Sequence, residues 1–254
     1  MLLSPITIAL VLLVGLSLGL LGSGGAILLI PVLVYVEGIA AQDAVVVSLA
    51  VVGIGSVFGA WLHYRNGHYH FRASFLYAVS GSAGAVIGAR FTSLVPDTIL
   101  MLSFGALMVV VGARMQQPRT QGNESGKCRV VPSLLVGAVV GLLTGFLGVG
   151  GGFLLIPAMT LIAGLDTHRA VAASLPVIGA NSLAGLGGHL MVGAAVPTES
   201  LPALVTVMLG IAAGSVAGRR IGADSLRKIF AVLVLLVGIA IVVASMYRLL
   251  IYGA

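Results

Sequence analysis

Two glycine clusters head the residues whose types and spacing could do chemistry: Gly22-Ser23-Gly24-Gly25 and Gly148-Val149-Gly150-Gly151-Gly152. Each is followed by a short apolar run that reaches a proline, Pro31 or Pro157. A glycine cluster between two helices at membrane depth leaves backbone N–H groups unpaired, and lipid cannot satisfy them. The helix that starts just beyond adds its own free N–H groups and the positive end of its dipole. Glycine lets a ligand come close to that backbone and allows positive φ. Such a tip has positive potential without formal charge, which suits a small anion. The competing reading is helix packing, in which small residues let backbones approach. Gly15, Gly19 and Gly22, or Gly141, Gly145 and Gly148, have the spacing for it. Packing accounts for the outer members of those stripes. Ligand contact is the expectation for Gly22, Ser23, Gly24, Gly25, Gly148, Gly150, Gly151 and Gly152.

A few polar side chains lie inside apolar segments: Ser48, Ser56, Ser174, Asn181 and Ser182. Ser174, Asn181 and Ser182 fall at i, i+7 and i+8, one face of a helix, with Pro176 between them to open the backbone locally. A serine there often bonds its own i−4 carbonyl. A buried amide is harder to dismiss. Ser48, Ser174, Asn181 and Ser182 therefore join the glycines as candidate substrate contacts. His63 and His189, near segment ends, are weak gating or coupling candidates because imidazole titrates near neutral pH. Interfacial placement explains them without any function. Glu37 and Asp43 are similarly weak coupling candidates. No acidic residue lies deep in a segment, so the carboxylate relay of many proton pumps is missing.

Enzymatic signatures are wanting. There is no H-E-x-x-H and no P-loop lysine, and Gly22-x-Gly24 lacks the βαβ context of a dinucleotide fingerprint. With a single cysteine, Cys128, neither an intramolecular disulfide nor a cysteine-based metal site can form. No catalytic residue, metal or cofactor is expected.

The elements that position these residues must be membrane helices. Only 8% of the 254 residues are charged, against roughly 25% in a soluble domain. Mean hydropathy is +1.17. An ordinary water-soluble fold is thereby excluded. The net charge of +6 sits in short clusters between apolar segments, which reads as positive-inside topology and not as a nucleic-acid surface. The stretch Met1-Leu2-Leu3-Ser4-Pro5 lacks the basic start of a cleaved signal peptide, so the first apolar run is expected to stay in the mature protein. Apolar segments run at about 3–21, 26–37, 44–63, 73–91, 98–114, 133–147, 152–164, 169–190, 200–218 and 227–251. A crossing needs about 20 residues, so 26–37 and 152–164 are too short to cross alone.

The chain reads as a duplication. Gly22–Pro31 aligns without gaps to Gly148–Pro157, with seven of ten positions identical. In the same register Gly38 meets Gly164, Ser48 meets Ser174, Ser56 meets Ser182, Gly59 meets Gly185 and His63 meets His189. This predicts a first repeat at 1–115, a cytoplasmic linker at 116–130 and a second repeat at 131–254, within one integral membrane domain. The loop at 64–72 carries Arg65 and Arg72, while its counterpart at 190–199 carries no Lys or Arg. The loop at 90–97 has only Arg90, while 219–228 has Arg219, Arg220, Arg227 and Lys228. That reversal predicts inverted repeats. The expected fold is an all-α polytopic membrane protein of two inverted repeats. Each repeat has a glycine-tipped helix pair, re-entrant or a single broken helix, plus three transmembrane helices.

At these residues the chain resembles the TauE/SafE family of sulfite exporters, over nearly its whole length. The marks are the doubled G-x-G-G-x-x-L-L-I-P element, Gly22–Pro31 and Gly148–Pro157, and Asn181-Ser182 with Gly185. The resemblance implies transport of small sulfur-containing anions such as sulfite, sulfoacetate or other organosulfonates. The backbone-tip argument reaches a small anion by itself, and the sulfur comes from the resemblance alone. The expectation is a secondary transporter working by alternating access in a bacterial inner membrane. Coupling to H+ or Na+ and a homodimer are left open. The alternative is a non-transporting membrane subunit whose glycines serve helix packing.

Overall fold

The structure, a computed structural model, describes residues 5–21, 25–64, 71–116, 130–161, 167–196, 200–217 and 223–252. They are helical almost throughout, with no strand among them. The helices are α1 (Pro5–Leu21), α2, α3 (Ala41–Tyr64), α4 (Phe71–Thr92), α5 (Asp97–Gln116), α6 (Val130–Leu147), α7 (Gly152–Leu161), α8 (Thr167–Met191), α9 (Ser200–Ala217) and α10 (Ala223–Tyr252). Here α2 denotes a composite: a 3-10 turn Gly25–Leu28, an α-turn Leu29–Pro31 and a π-helical stretch Val32–Val36. Pro31 has no N–H to give and its ring crowds the turn before it, so the regular ladder cannot run through. The chain is wound tightly before the proline and widely after it, and the Glu37 N–H closes the wide turn on the Val32 carbonyl at 3.4 Å. Pro176 has a milder effect, and α8 runs unbroken through it.

Each apolar segment read from the sequence holds one of these helices, with ends shifted by a few residues. Among the described residues, Ala41–Leu62, Asp97–Arg114 and Val130–Leu147 are long and apolar enough to cross a membrane. The 18 residues of α6 span about 27 Å, close to a whole hydrocarbon core. The 10 residues of α7 span about 15 Å, half of one. The outward faces are apolar: Ile6, Leu13, Phe75, Val79, Val110, Val139, Leu209, Leu236 and Val243 are all exposed. Water would penalise such a surface, whereas hydrocarbon accepts it.

Hydrophobic burial does not press helices together in lipid, so close backbone approach and dispersion must do so. The chain supplies glycine where helices meet. α4 packs against α6 and α8, α1 against α9, α5 against α10, and α3 against α8. In the α4–α6 seam a Cβ added at Gly84 would strike the Ala138 carbonyl, and one at Gly88 the Leu142 carbonyl. From the other side, Gly141 abuts the Gly81 backbone and Gly145 the Ala85 backbone. The α1–α9 seam is built the same way. A Cβ at Gly15 would sit 2.5 Å from the Val207 carbonyl oxygen, and one at Gly210 would sit 2.6 Å from that of Leu12. Packing is thus the role of Gly15, Gly141 and Gly145. Exchanging the helices of 5–116 with those of 130–252, in order, turns the α1–α9 pair into the α6–α4 pair and leaves α3–α8 and α5–α10 unchanged. The two halves interlock and share one core.

Candidate functional site

α6 ends at Leu147 because the next residues leave the helical region. Gly148, Gly150 and Gly151 have φ of +72°, +71° and +65°. A left-handed residue just past a helix is a strong stop signal, and glycine takes that conformation without steric cost. The chain resumes as α7 when the Gly151 carbonyl accepts from the N–H groups of Leu154 and Leu155, both at 3.1 Å. The second glycine cluster is therefore a buried four-residue turn joining two helix ends.

Most of the carbonyls at the end of α6 are held by donors from elsewhere. The last four carbonyls of any helix lack intrahelical partners. Here the Thr144 carbonyl accepts from the Gly148 N–H at 2.8 Å. The Gly145 carbonyl accepts from His189 Nε2 at 3.0 Å. A carbonyl can only accept, so Nε2 carries the proton. Thr92 Oγ1 lies 2.9 Å from the Phe146 carbonyl and 3.4 Å from that of Gly145. Its single proton goes to the nearer one. Ser48 Oγ donates to the Gly148 carbonyl at 2.7 Å, from α3. By contrast, no acceptor among the described residues takes the N–H of Val149, Gly150 or Gly151. Three open N–H groups in succession, next to the positive end of the α7 dipole, are donors an anion can use.

Among the described residues, three buried side chains of α3 and α8 are unpartnered, and Ser182 is the one placed against the turn. Ser182 Oγ and both polar atoms of Asn181 are fully buried on α8 and have no hydrogen-bond partner, as has Ser56 Oγ on α3. Leaving such a group unsatisfied costs about 1–3 kcal/mol, so each is available to a ligand. Ser182 Oγ would lie 3.5 Å from a Cβ at Gly150, with Val52 Cγ1 at 2.7 Å. The Asn181 amide rests on Gly81 of α4, where a Cβ would be 2.5 Å from either polar atom. No formal charge enters this group.

Of the residues expected from sequence, the structure brings Ser48 and Ser182 to the turn at 148–152, while Asn181, next to Ser182 in the chain, packs on Gly81 of α4. Ser174 is buried on the same helix. Its neighbour Ala173 offers its carbonyl to Ser74 Oγ of α4 at 2.9 Å, beside Pro176. His189 is there as a donor to α6. Gly25 opens α2. Gly22, Ser23 and Gly24 lie outside the described residues, as do the linker positions 117–129 and the side chain of His63. Asp43 is exposed on the first turn of α3, and Glu37 caps the π-helical end of α2. Near them a cavity of about 250 Å³ is lined by Tyr35, Asp97, Thr98 and Ser245. Asp97 also accepts from the Ala41 N–H at 3.3 Å, capping α3. This cavity shares no lining residue with the turn. Among the described residues no group of His, Cys, Asp or Glu could hold a metal. Gly15-Leu16-Ser17-Leu18-Gly19 has the spacing of a hydrolase nucleophile motif but lies inside α1, with none of the strand-to-helix turn that exposes such a serine.

Thr92, Ser74 and Gly81 were not among the expected residues. Thr92 had a signal: it continues the four-residue step Gly84, Gly88, Thr92 and is the polar end of a small-residue stripe. Ser74 had none, being one more serine near a helix start.

The family model for the sulfite exporter TauE/SafE matches residues 7–241. A probable membrane transporter protein of Xylella fastidiosa (strain Temecula1) is 30% identical over 241 residues, covering 91% of this chain and 91% of that protein. The probable membrane transporter protein YdhB of Bacillus subtilis is 25% identical, covering 82% of this chain and 86% of its own. An archaeal relative, the probable membrane transporter protein MJ0441 of Methanocaldococcus jannaschii, is 28% identical over 75% of this chain and 73% of its own. No solved structure matches the chain.

Proposed function

Because this chain belongs to the sulfite exporter TauE/SafE family, we propose that it is a secondary transporter of small sulfur-containing anions, of the sulfite or organosulfonate class, with the anion held by backbone N–H groups of the 148–152 turn. The carrying observation is the way α6 ends at that turn. Side chains of Thr92, His189 and Ser48 hold the carbonyls of Phe146, Gly145 and Gly148, while the N–H groups of Val149, Gly150 and Gly151 stand free, with the unpartnered Ser182 hydroxyl close to Gly150. Donors without a full charge can bind an anion and still release it, which a carrier needs. Gly22, Ser23, Gly24 and Gly25 form the matching half of the site in this reading, with Ser174 as the counterpart of Ser48.

The repeats at 1–115 and 131–254 are inverted and move against each other in alternating access, with 116–130 cytoplasmic. The swapped pairing of α1–α9 and α6–α4 supports two equivalent halves. The protein resides in a bacterial inner membrane. A negative interior drives an anion outward with ~2.3 kcal/mol per charge per 100 mV, so export needs no coupling ion. Import would use H+ or Na+, and Glu37, Asp43, His63 and His189 are the candidates for that coupling.

Purified protein in liposomes is expected to take up labelled sulfite or a short sulfonate, faster with a positive-inside potential. No uptake of any such anion, together with copurification of a fixed partner, would establish the non-transporting subunit instead.

A second expectation concerns topology. On a Cys128→Ser background, Gly67→Cys in the α3–α4 connection should react with an impermeant thiol reagent only from the cytoplasm. Ala195→Cys in the repeat-related α8–α9 connection should react only from outside. Labelling of both from one side would mean parallel repeats.

A further inference from the structure

We propose that Thr92 and His189 are positioning residues of the anion site: they occupy two carbonyls that would otherwise recapture the free N–H groups of the turn. This rests on reading that turn as the anion site. In a continued α-helix each N–H bonds the carbonyl four residues back. The Val149 N–H would go to Gly145 and the Gly150 N–H to Phe146. Those two carbonyls are the ones held by His189 Nε2, at 3.0 Å, and by Thr92 Oγ1, at 2.9 Å. Both side chains are almost completely buried, Thr92 at 1% exposed and His189 at 5%.

They reach α6 from different helices. Thr92 is the last residue of α4, and His189 lies in the last turn of α8. Convergence is possible because Gly145 has no side chain. A Cβ there would strike the Ala85 backbone of α4, and one at Gly185 of α8 would stand 3.3 Å from Gly145 Cα. Gly145 thus lets α4 and α8 close in on the end of α6. With the two carbonyls taken, one more turn of α6 gains little, and the left-handed glycines keep the donors turned away. With the carbonyls free, the helix lengthens by a turn and the anion loses two donors.

The test is Thr92→Val, which removes the hydroxyl at nearly constant size, with Thr92→Ser as rescue and His189→Leu as the partner variant. In liposomes, Thr92→Val and His189→Leu should raise KM for labelled sulfite at least tenfold while Vmax stays within about twofold. Thr92→Ser should restore KM. Amide hydrogen exchange needs no substrate. Peptides covering 148–152 should exchange more slowly in Thr92→Val, since the freed Phe146 carbonyl now holds the Gly150 N–H, and at the native rate in Thr92→Ser. Unchanged exchange in Thr92→Val, or equal impairment of Thr92→Ser, would overturn the proposal. Absence of sulfite transport by the wild-type chain would defeat the functional reading, and the exchange measurement would still decide the positioning role.

Discussion

Gly150→Ala is expected to reduce anion uptake to background while the protein still reaches the membrane and purifies as a folded species. Two effects act at this position. Its φ is +71°, where a Cβ costs roughly 1–2 kcal/mol. The added methyl would also lie 2.7 Å from Val52 Cγ1, 3.3 Å from Ile178 Cγ2 and 3.5 Å from Ser182 Oγ. The turn must shift to accommodate it, and the open N–H groups move with the turn. Gly38→Ala separates strain from blockage. Gly38 has the same φ of +71° and nothing within 4 Å of its added Cβ, and it lies away from the turn. Gly38→Ala should lose only the thermal stability that the strain costs and keep its uptake, whereas Gly150→Ala should lose somewhat more stability and its uptake as well. Full uptake by Gly150→Ala would remove the turn from the mechanism. Gly150→Val is the poorer experiment, because a β-branched residue at positive φ threatens the fold itself.

The second large effect concerns assembly. Gly141→Ala should leave little monodisperse protein after detergent extraction, whereas Gly187→Ala should behave as the wild type. Both glycines are inside helices, where alanine is intrinsically favoured by about 1 kcal/mol. Propensity alone therefore predicts that both changes stabilise. The surroundings reverse the sign at Gly141. Its added Cβ would run into the Gly81 carbonyl, carbon and Cα, all backbone atoms that have no rotamer to change. α4 and α6 must move apart, and the neighbouring close contacts at Gly84, Gly88 and Gly145 open with them. Overpacking of this kind costs ~1–3 kcal/mol or more. At Gly187 nothing lies within 4 Å, so the methyl meets no obstacle. Wild-type yield and stability of Gly141→Ala would show that the seam is looser than described.

The sequence and the structure agree where the cause is local. A low charge content and long apolar segments dictate membrane helices, since the bilayer leaves the backbone few other ways to satisfy itself. The break after Leu147 is equally local, because a run of glycines readily takes the left-handed conformation that ends a helix. The irregular winding of α2 around Pro31 is local too, because proline lacks the N–H that a regular helix needs there. The serines were less legible. Ser48, Ser174 and Ser182 look alike in sequence, yet Ser48 is bound to the Gly148 carbonyl and Ser182 is left without a partner. Helical periodicity says which face a residue takes and does not say which backbone atom waits opposite. His189 stands near a helix end as its position suggested, but its burial and its hydrogen bond to α6 could not be read from the sequence.

By itself the sequence determined that this is a helical membrane chain, where its segments lie, where the glycine turn interrupts them and which family it joins. The first three follow from composition, hydropathy and local backbone preference, and the family follows from the resemblance of its motifs, which the family model bears out. Only the tertiary structure decided which backbone groups of the turn are occupied and which are free. The donors come from α3, α4 and α8. Ser48 lies 100 residues from Gly148, Thr92 lies 54 from Phe146 and His189 lies 44 from Gly145. No spacing rule reaches across such distances. A hydrogen bond depends on two atoms meeting within about 3 Å, and that meeting is fixed by the glycine seams that let the helices close on one another.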